Sequence, residues 1–345
     1  MVQAVEWRDE PRPMIRLIDQ TLLPEREEYL EITTVDGLVD AIASLAVRGA
    51  PALGAVGALG VVVAMNQAAT EGWDATTLAA QIDRVRDARP TAVNLAWGVD
   101  RVRPAMAAGA GEVLAQAQQL VLEDTAANRR LAELGADWIL ERTGKEHVRV
   151  ITHCNTGALA TTAWGTAYGI IHELHDRRAL GLVYADETRP LLQGARLTSW
   201  ELSKDGIDHV VEVDGAAAST ILRGLVDVAI IGADRITANG DTANKVGSVA
   251  LALACARAGI PFVVAAPSST VDLSTATGDD IVIEERSSDE VVSFGGRRIA
   301  PPDVRGFNPA FDVTPHDLIS AIVTELGVVE PALNPHPRLL APVAS

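Results

Sequence analysis

The sequence predicts an α/β protein, a mainly helical N-terminal region followed by a doubly wound parallel sheet, on three observations. Over 345 residues, 48% are hydrophobic and 22% charged, a balance that fills one large domain or two unequal ones. From about residue 34 to 141, apolar positions recur with a helical period and no repeated strand pattern interrupts them. Beyond a break at 143–146 (TGKE), short β-branched runs alternate with amphipathic stretches.

Taken in order, Thr34 is placed to cap a helix over VDGLVDAIASLAV, and Pro51 suits the first turn of the next one. The apolar stretch at 52–65 (ALGAVGALGVVVAM) is short for a bilayer span and loaded with glycine and alanine, so it reads as a helix packed closely against others. Helical patterns follow at 75–88, 91–107 and 112–140. The break at 143–146 then divides the chain into an N-terminal mainly helical domain, 1–143, and a second domain, 144–345.

In the second domain, VRVITH precedes a helical TGALATTAWGTAYGIIHEL, LGLVYA precedes RLTSWELSKDG, and HVVEV precedes AAASTILRGL. VDVAIIGA, a helical ANKVGSVALALACARAG and PFVVAA continue the rhythm. Continuous β-branched runs separated by amphipathic helices imply a Rossmann-like parallel sheet covered on both faces and joined by right-handed crossovers. Ligands of such sheets bind beyond the carboxyl ends of the strands. The residues at those exits are Cys154 with Asn155, Asp186 with Glu187, Asp214, Asp234 with Arg235, and Pro267.

The formal net charge of −17 repels phosphodiester backbones and anionic lipid, so neither nucleic acid nor a membrane is expected as a partner. An anionic ligand has to be small and held by a few arginines. Only two cysteines occur, Cys154 and Cys255, without metal-ligand spacing, which suits a reducing compartment and suggests neither disulfide nor zinc. The start MVQAVEWRDEPRP lacks the pattern of a signal peptide, and a cytoplasmic location is expected.

Two residues carry the expected chemistry. Cys154 ends a strand where a helix is expected to begin at Asn155-Thr156-Gly157, so backbone N–H groups and the helix dipole would favour a thiolate; a small buried apolar cysteine is the alternative. Asp234, at the mouth of an apolar strand, would be partly desolvated and suited to act as an acid; a helix cap or an ion pair with Arg235 is the alternative. Cys255, inside an apolar helix, reads as structural. Arg48 in the glycine-rich RGAPALG is placed to hold a phosphate, while Arg89 and Lys245 are isolated cations. The segment GADRITANG lacks both the Walker lysine and dinucleotide spacing, so no nucleotide is inferred. His153 points away from Cys154 and reads as a packed or surface histidine.

The chain resembles the methylthioribose-1-phosphate isomerases, in the superfamily that also holds the regulatory subunits of the translation-initiation exchange factor. The resemblance spans nearly the whole chain, and no single motif in it is specific. It rests on Arg48-Gly49-Ala50-Pro51-Ala52, on Arg89-Pro90-Thr91-Ala92-Val93-Asn94-Leu95 and on Thr152-His153-Cys154-Asn155-Thr156-Gly157. It continues through Glu187-Thr188-Arg189-Pro190, Gln193-Gly194-Ala195-Arg196-Leu197-Thr198, Gly232-Ala233-Asp234-Arg235-Ile236, Asn244-Lys245-Val246-Gly247 and NPAFDVTP at 308–315.

The resemblance implies catalytic Cys154 and Asp234. It also implies substrate contacts at Arg48, Gly49, Ala50, Arg89, Gln193, Asn244 and Lys245. It further implies no metal or cofactor, a sugar-phosphate substrate in methionine salvage, and a homodimer. Exchange-factor subunits generally lack this cysteine and aspartate together. Close relatives leave ribose 1,5-bisphosphate and 5-deoxyribose 1-phosphate as alternative substrates, and a regulatory subunit as the non-catalytic one. One departure bears on the pocket: Asp214-Gly215-Ala216-Ala217-Ala218 stands where an Asp-Asn pair and a bulkier residue are usual.

Overall fold

The computed structural model describes residues 2–89, 93–331 and 333; residues 1 and 334–345, at the ends of the two predicted domains, lie outside these. By contacts the chain forms two units. The first holds the chain up to Ala126 together with Thr156–Gly165, and the second holds Ala127–Asn155 and the chain from Thr166 onward.

The first unit opens with an antiparallel sheet that the sequence reading did not anticipate: β1 (Val5–Arg8), β2 (Met14–Ile18) and β3 (Tyr29–Ile32). Strands of four or five residues are too short to assert a period over their neighbours. Helix α1 (Val35–Ala43) is capped by Thr34, whose side chain accepts from Gly37 N at 3.2 Å, and it ends four residues before the predicted stretch does. Helix α2 (Ala50–Glu71) carries Pro51 in its first turn and is longer than the apolar stretch suggested. Its length and composition alone would allow a bilayer crossing, yet 78% of its apolar window is buried inside the chain, so it serves as a core helix.

Helix α3 (Ala75–Arg86) is capped by Asp74, and α4 (Val93–Val102) follows. The helix predicted over 91–107 begins on Thr91 and Ala92, which with Pro90 lie outside the described residues. It also does not run through: Pro104 removes a donor, and the chain tightens into a 3-10 turn over Arg103–Ala108. The glycines of α2 permit close helix packing. A Cβ on Gly98 of α4 would lie 2.0 Å from the Gly54 carbonyl oxygen of α2. Gly98→Ala is therefore expected to cost about 1–3 kcal/mol, read as a lower denaturation midpoint with an unchanged m-value. Helix α5 (Ala110–Thr143) passes from the first unit into the second and stops at the TGKE break.

The second unit is built on a seven-stranded sheet. Its strands are β4 (Val148–Thr152), β5 (Leu180–Asp186), β6 (His209–Glu212), β7 (Val228–Ile231), β10 (Phe262–Ala265), β15 (Ala321–Thr324) and β16 (Gly327–Val329), in the spatial order β16-β15-β10-β7-β4-β5-β6. All pairs are parallel except the one with β16. Alternate strand residues bury in opposite layers, as a two-sided sheet requires. Val150, Ile230 and Val263 pack with Ile139 of α5, with Ile171 of α6 (Ala167–Asp176) and with Leu202 of α7 (Ser199–Lys204). Ile151, Ile231 and Val264 pack with Ile221 of α8 (Ala217–Leu222) and Leu251 of α9 (Ser248–Ala258). The predicted doubly wound sheet is present.

Two predicted helices are shorter than expected. The chain from residue 153 to 166 is irregular, and α6 starts only at Ala167; the left-handed Trp164 and Gly165 break the pattern, Thr161 donates its hydroxyl to the Gly157 carbonyl, and Thr162 donates its own to the Asp124 carboxylate of α5. Residues 243–245 (ANK) are strand, not helix: β8 (Arg235–Thr237), β9 (Thr242–Lys245), β11 (Val271–Asp272) and β14 (Phe311–Thr314) form a second sheet in the order β11-β8-β9-β14. A short helix α10 (Asp289–Val292) and the hairpin of β12 (Ser293–Phe294) and β13 (Arg297–Arg298) lie between β11 and β14 in the chain.

Candidate active site

The chain runs β4, β5, β6 to one side and then returns to lay β7 against the other side of β4, with Ile151 opposite Ala229 and Thr152 opposite Ile230. Strand order reverses between β4 and β7, and the carboxyl ends of strands at such a reversal open a crevice. Cys154 follows β4, and Asp234 follows β7.

Cys154 is half-buried and left-handed, φ +65°, a conformation costly for a residue with a Cβ. Side chains hold it there. Its N–H donates to Thr188 Oγ1 at 2.8 Å, its carbonyl accepts from Thr198 Oγ1 at 2.6 Å, and the Thr188 hydroxyl donates onward to the Asp186 carbonyl at 3.0 Å. The expected helix N-terminus beside the sulfur is absent because residues 153–166 form no helix. Cys154 is nevertheless not a buried apolar cysteine. Cys255 is one, fully enclosed in α9, with burial pushing its thiol up to about 12.

Asp234 is exposed, against the expectation of partial desolvation: the packed run continues through Gly232 and the half-buried Ala233 and ends there. It is followed at once by β8, so helix capping does not account for it; its N–H donates to the Ala243 carbonyl at 2.9 Å. Arg235 reaches Asp272 at 3.6 Å.

Asn244 and Lys245 close β9. Asn244 is buried and donates to Ser248 Oγ at 3.0 Å; Lys245 donates to the Ala310 carbonyl at 2.8 Å and lies 4.7 Å from the centre of the Phe311 ring. At the start of α9, Asp312 accepts from Gly247 N and Val249 N; burial pushes its carboxyl above the usual range despite those bonds, and its buried Oδ1 has no partner among the described residues. Gln193 is buried, and its Oε1 has no partner among the described residues. Asp214 accepts from the N–H groups of Thr188 and Arg189 at 2.7 and 2.6 Å. A Cβ on the exposed Gly215 would meet none of the described residues within 4 Å, so the unusual Asp-Gly pair leaves the bonds of Asp214 intact.

The remaining predicted residues, Arg48, Gly49, Ala50 and Arg89, belong to the first unit. Arg48 is half-buried and its Nε has no partner among the described residues. Gly49 is left-handed at φ +94° and caps α2. A Cβ there would lie 2.1 Å from the Ala160 carbonyl oxygen, so the close approach that the glycine-rich segment allows is used by the chain's own backbone. Arg89 is half-buried. The second unit thus brings Cys154, Asp234, Gln193, Asn244 and Lys245 to one end of its sheets.

Sequence reasoning undervalued His153. It is 1% exposed, with Nδ1 2.8 Å from Asp186 Oδ2 and Nε2 2.8 Å from the Val246 carbonyl oxygen. A carbonyl only accepts, so Nε2 carries a proton. Burial acts to lower the basicity of His153, but the bond to Asp186 and the charges of Asp186 and Asp214 outweigh it and raise its pKa. Burial raises the Asp186 carboxyl as well, so the pair holds its shared proton tightly. The oxygens of Asp186 and Asp214 lie close enough to His153 to suggest a cation site, but each ring nitrogen already meets an oxygen at hydrogen-bond distance, so an ion would have to break one of these bonds. The threonines that hold Cys154, and Asp312, also escaped sequence reasoning. Their presence within the quoted motifs was the only signal for them.

A family profile described as Initiation factor 2 subunit family matches residues 46–331. A probable bifunctional methylthioribose-1-phosphate isomerase/methylthioribulose-1-phosphate dehydratase of Nocardia farcinica is 52% identical over 93% of this chain, which spans only 58% of that relative. Methylthioribose-1-phosphate isomerase of an Anaeromyxobacter species is 50% identical over 98% of this chain and 96% of its own length. Among solved structures, 5-methylthioribose 1-phosphate isomerase of Pyrococcus horikoshii aligns with a TM-score of 0.87 at 37% identity, covering 99% of this chain and 95% of that one. The structure titled translation initiation factor eIF-2B, subunit delta, from A. fulgidus aligns with a TM-score of 0.86 at 40% identity, covering 99% of each.

Proposed function

The chain belongs to the initiation factor 2 subunit family, and we propose that within it this protein is the isomerase converting 5-methylthioribose 1-phosphate to 5-methylthioribulose 1-phosphate. One observation carries the reading: a thiol and a carboxylate, Cys154 and Asp234, flank the point where strand order reverses, in a chain half identical to isomerases of that name. Acid and base on one edge of a parallel sheet are what an aldose–ketose proton transfer needs.

The phosphate on the anomeric oxygen prevents ring opening by simple deprotonation, so the ring oxygen must be helped to leave. Protonated Asp234 donates to that oxygen, and the C1–O bond to the ring breaks. Cys154 thiolate then removes the C2 proton, and the C2–H electrons form a C1=C2 double bond, giving an enol phosphate. A proton added at C1 and the loss of the C2 hydroxyl proton complete the ketose. Lys245 and Asn244 hold the phosphate by charge-assisted and side-chain hydrogen bonds, and Gln193 orients the sugar. The enzyme works in methionine salvage as a cytoplasmic homodimer, without metal or organic cofactor. Its two free cysteines suit a reducing compartment.

The test is to incubate the protein with 5-methylthioribose 1-phosphate in the presence of a chelator and follow ketose formation by NMR. Rapid conversion is expected, ahead of ribose 1,5-bisphosphate and 5-deoxyribose 1-phosphate. Preference for either of those would move the substrate assignment. No conversion of any of the three would favour a regulatory subunit, the reading that similarity to the A. fulgidus structure supports.

A further inference from the structure

His153 precedes the candidate base, and Val246 follows the candidate phosphate anchor Lys245. The imidazole spans them. Nδ1 meets the Asp186 carboxylate at 2.8 Å, and Nε2 donates to the Val246 carbonyl at 2.8 Å. From Asp186 the path continues through its backbone carbonyl to the Thr188 hydroxyl, which accepts the Cys154 N–H. From Val246 it continues into Gly247, where φ is +113° and where an added Cβ would lie 2.8 Å from the ring, so the backbone is moulded to this side chain. Gly194 completes the fit on the other side, because a Cβ there would sit 1.7 Å from the Asp186 carbonyl oxygen.

Resting on the isomerase reading, we infer that His153 is a positioning residue with two separable arms. The Nδ1 arm fixes the strained Cys154 through Asp186 and Thr188, and the Nε2 arm fixes Asn244 and Lys245 through the Val246 peptide. A buried histidine needs a partner for each ring nitrogen whatever its role, so what marks His153 is where its two partners lead. Here both are used, and the two ends of the ring lead to two different jobs, proton removal and phosphate anchoring. A hydrogen bond is worth about 0.5–1.5 kcal/mol, so loss of one arm costs up to about tenfold in the property it supports.

The side-chain amides of asparagine and glutamine occupy roughly the places of Nδ1 and Nε2, so each substitution keeps one arm. His153→Gln keeps the Val246 bond, and kcat is expected to fall about tenfold while KM stays within about twofold. His153→Asn keeps the Asp186 bond, and KM is expected to rise about tenfold with kcat nearly unchanged. Two readouts do not need turnover. The rate of Cys154 alkylation by iodoacetamide should change in the glutamine variant only, and competition by inorganic phosphate against a fluorescent sugar-phosphate probe should weaken in the asparagine variant only.

An inactive wild type would sink the isomerase reading and leave these two measurements to decide the inference. Equal losses of kcat and KM in both variants, wild-type behaviour in both, or failure of both to fold would each overturn it, since a structural side chain gives no split. Asp186→Asn is the independent check, and it is expected to follow the glutamine pattern.

Discussion

Cys154→Ala is expected to lower turnover of 5-methylthioribose 1-phosphate by at least about 10²–10⁴-fold, with substrate affinity little changed, because the variant removes the group that takes the C2 proton and leaves the phosphate anchors in place. The backbone of residue 154 is held by Thr188 and Thr198 through its N–H and carbonyl, and alanine offers both groups unchanged. A fall in activity is then a statement about the sulfur. Cys255→Ala is the control: that thiol is enclosed in α9, its pKa is pushed up to about 12, and it lies in no part of the proposed site. Single-turnover kinetics with substrate deuterated at C2 is the direct check. A primary isotope effect in the wild type, together with near-total loss in the alanine variant, is the expected pair of results; a Cys154→Ala enzyme within tenfold of wild type would remove the thiol from the mechanism.

The second large effect is expected at Asp234. Asp234→Asn preserves shape but cannot deliver a carboxylic proton to the ring oxygen, and turnover should again fall by about 10²–10⁴-fold. The two losses separate by solvent exchange. Enolisation of the ketose product does not involve the ring oxygen, so deuterium from solvent should still enter C1 of 5-methylthioribulose 1-phosphate in Asp234→Asn. Loss of that exchange as well would place Asp234 on the enolisation step. Because Asp234 is exposed, the same measurement reports whether a surface carboxylate is drawn into the chemistry at all. Unchanged turnover would leave it as the residue that joins β7 to β8.

Most of the fold was legible. Val228–Ile231 and Phe262–Ala265 are continuous apolar runs, and Val148–Thr152 and Leu180–Asp186 are mostly apolar ones interrupted by Arg149 and ended by Asp186, because strands inside a parallel sheet are covered on both faces, and that leaves a mark in composition without help from the rest of the chain. Thr34, Pro51 and the break after Thr143 were legible for a similar reason, since caps and breakers act on backbone groups a few residues away. What failed was local pattern overruled by distant partners. TGALATTAWGT has helical composition, yet it is irregular, held by threonine side chains and by Ala160 against Gly49. ANK reads as the start of a helix but pairs as a strand with Phe311–Thr314, more than sixty residues on.

The candidate site divides the same way. The sequence alone, with its family resemblance, named Cys154 and Asp234 and placed both at strand exits, because residue type and strand order are written along the chain. Only the tertiary structure decided that the two exits border the reversal of strand order, that Cys154 is left-handed and clamped by two threonine hydroxyls, that Asp234 is exposed, and that His153 joins Asp186 to Val246. Each of these depends on atoms from segments 30 to more than 90 residues apart, and hydrogen bonds over such separations leave no periodicity in the sequence to read.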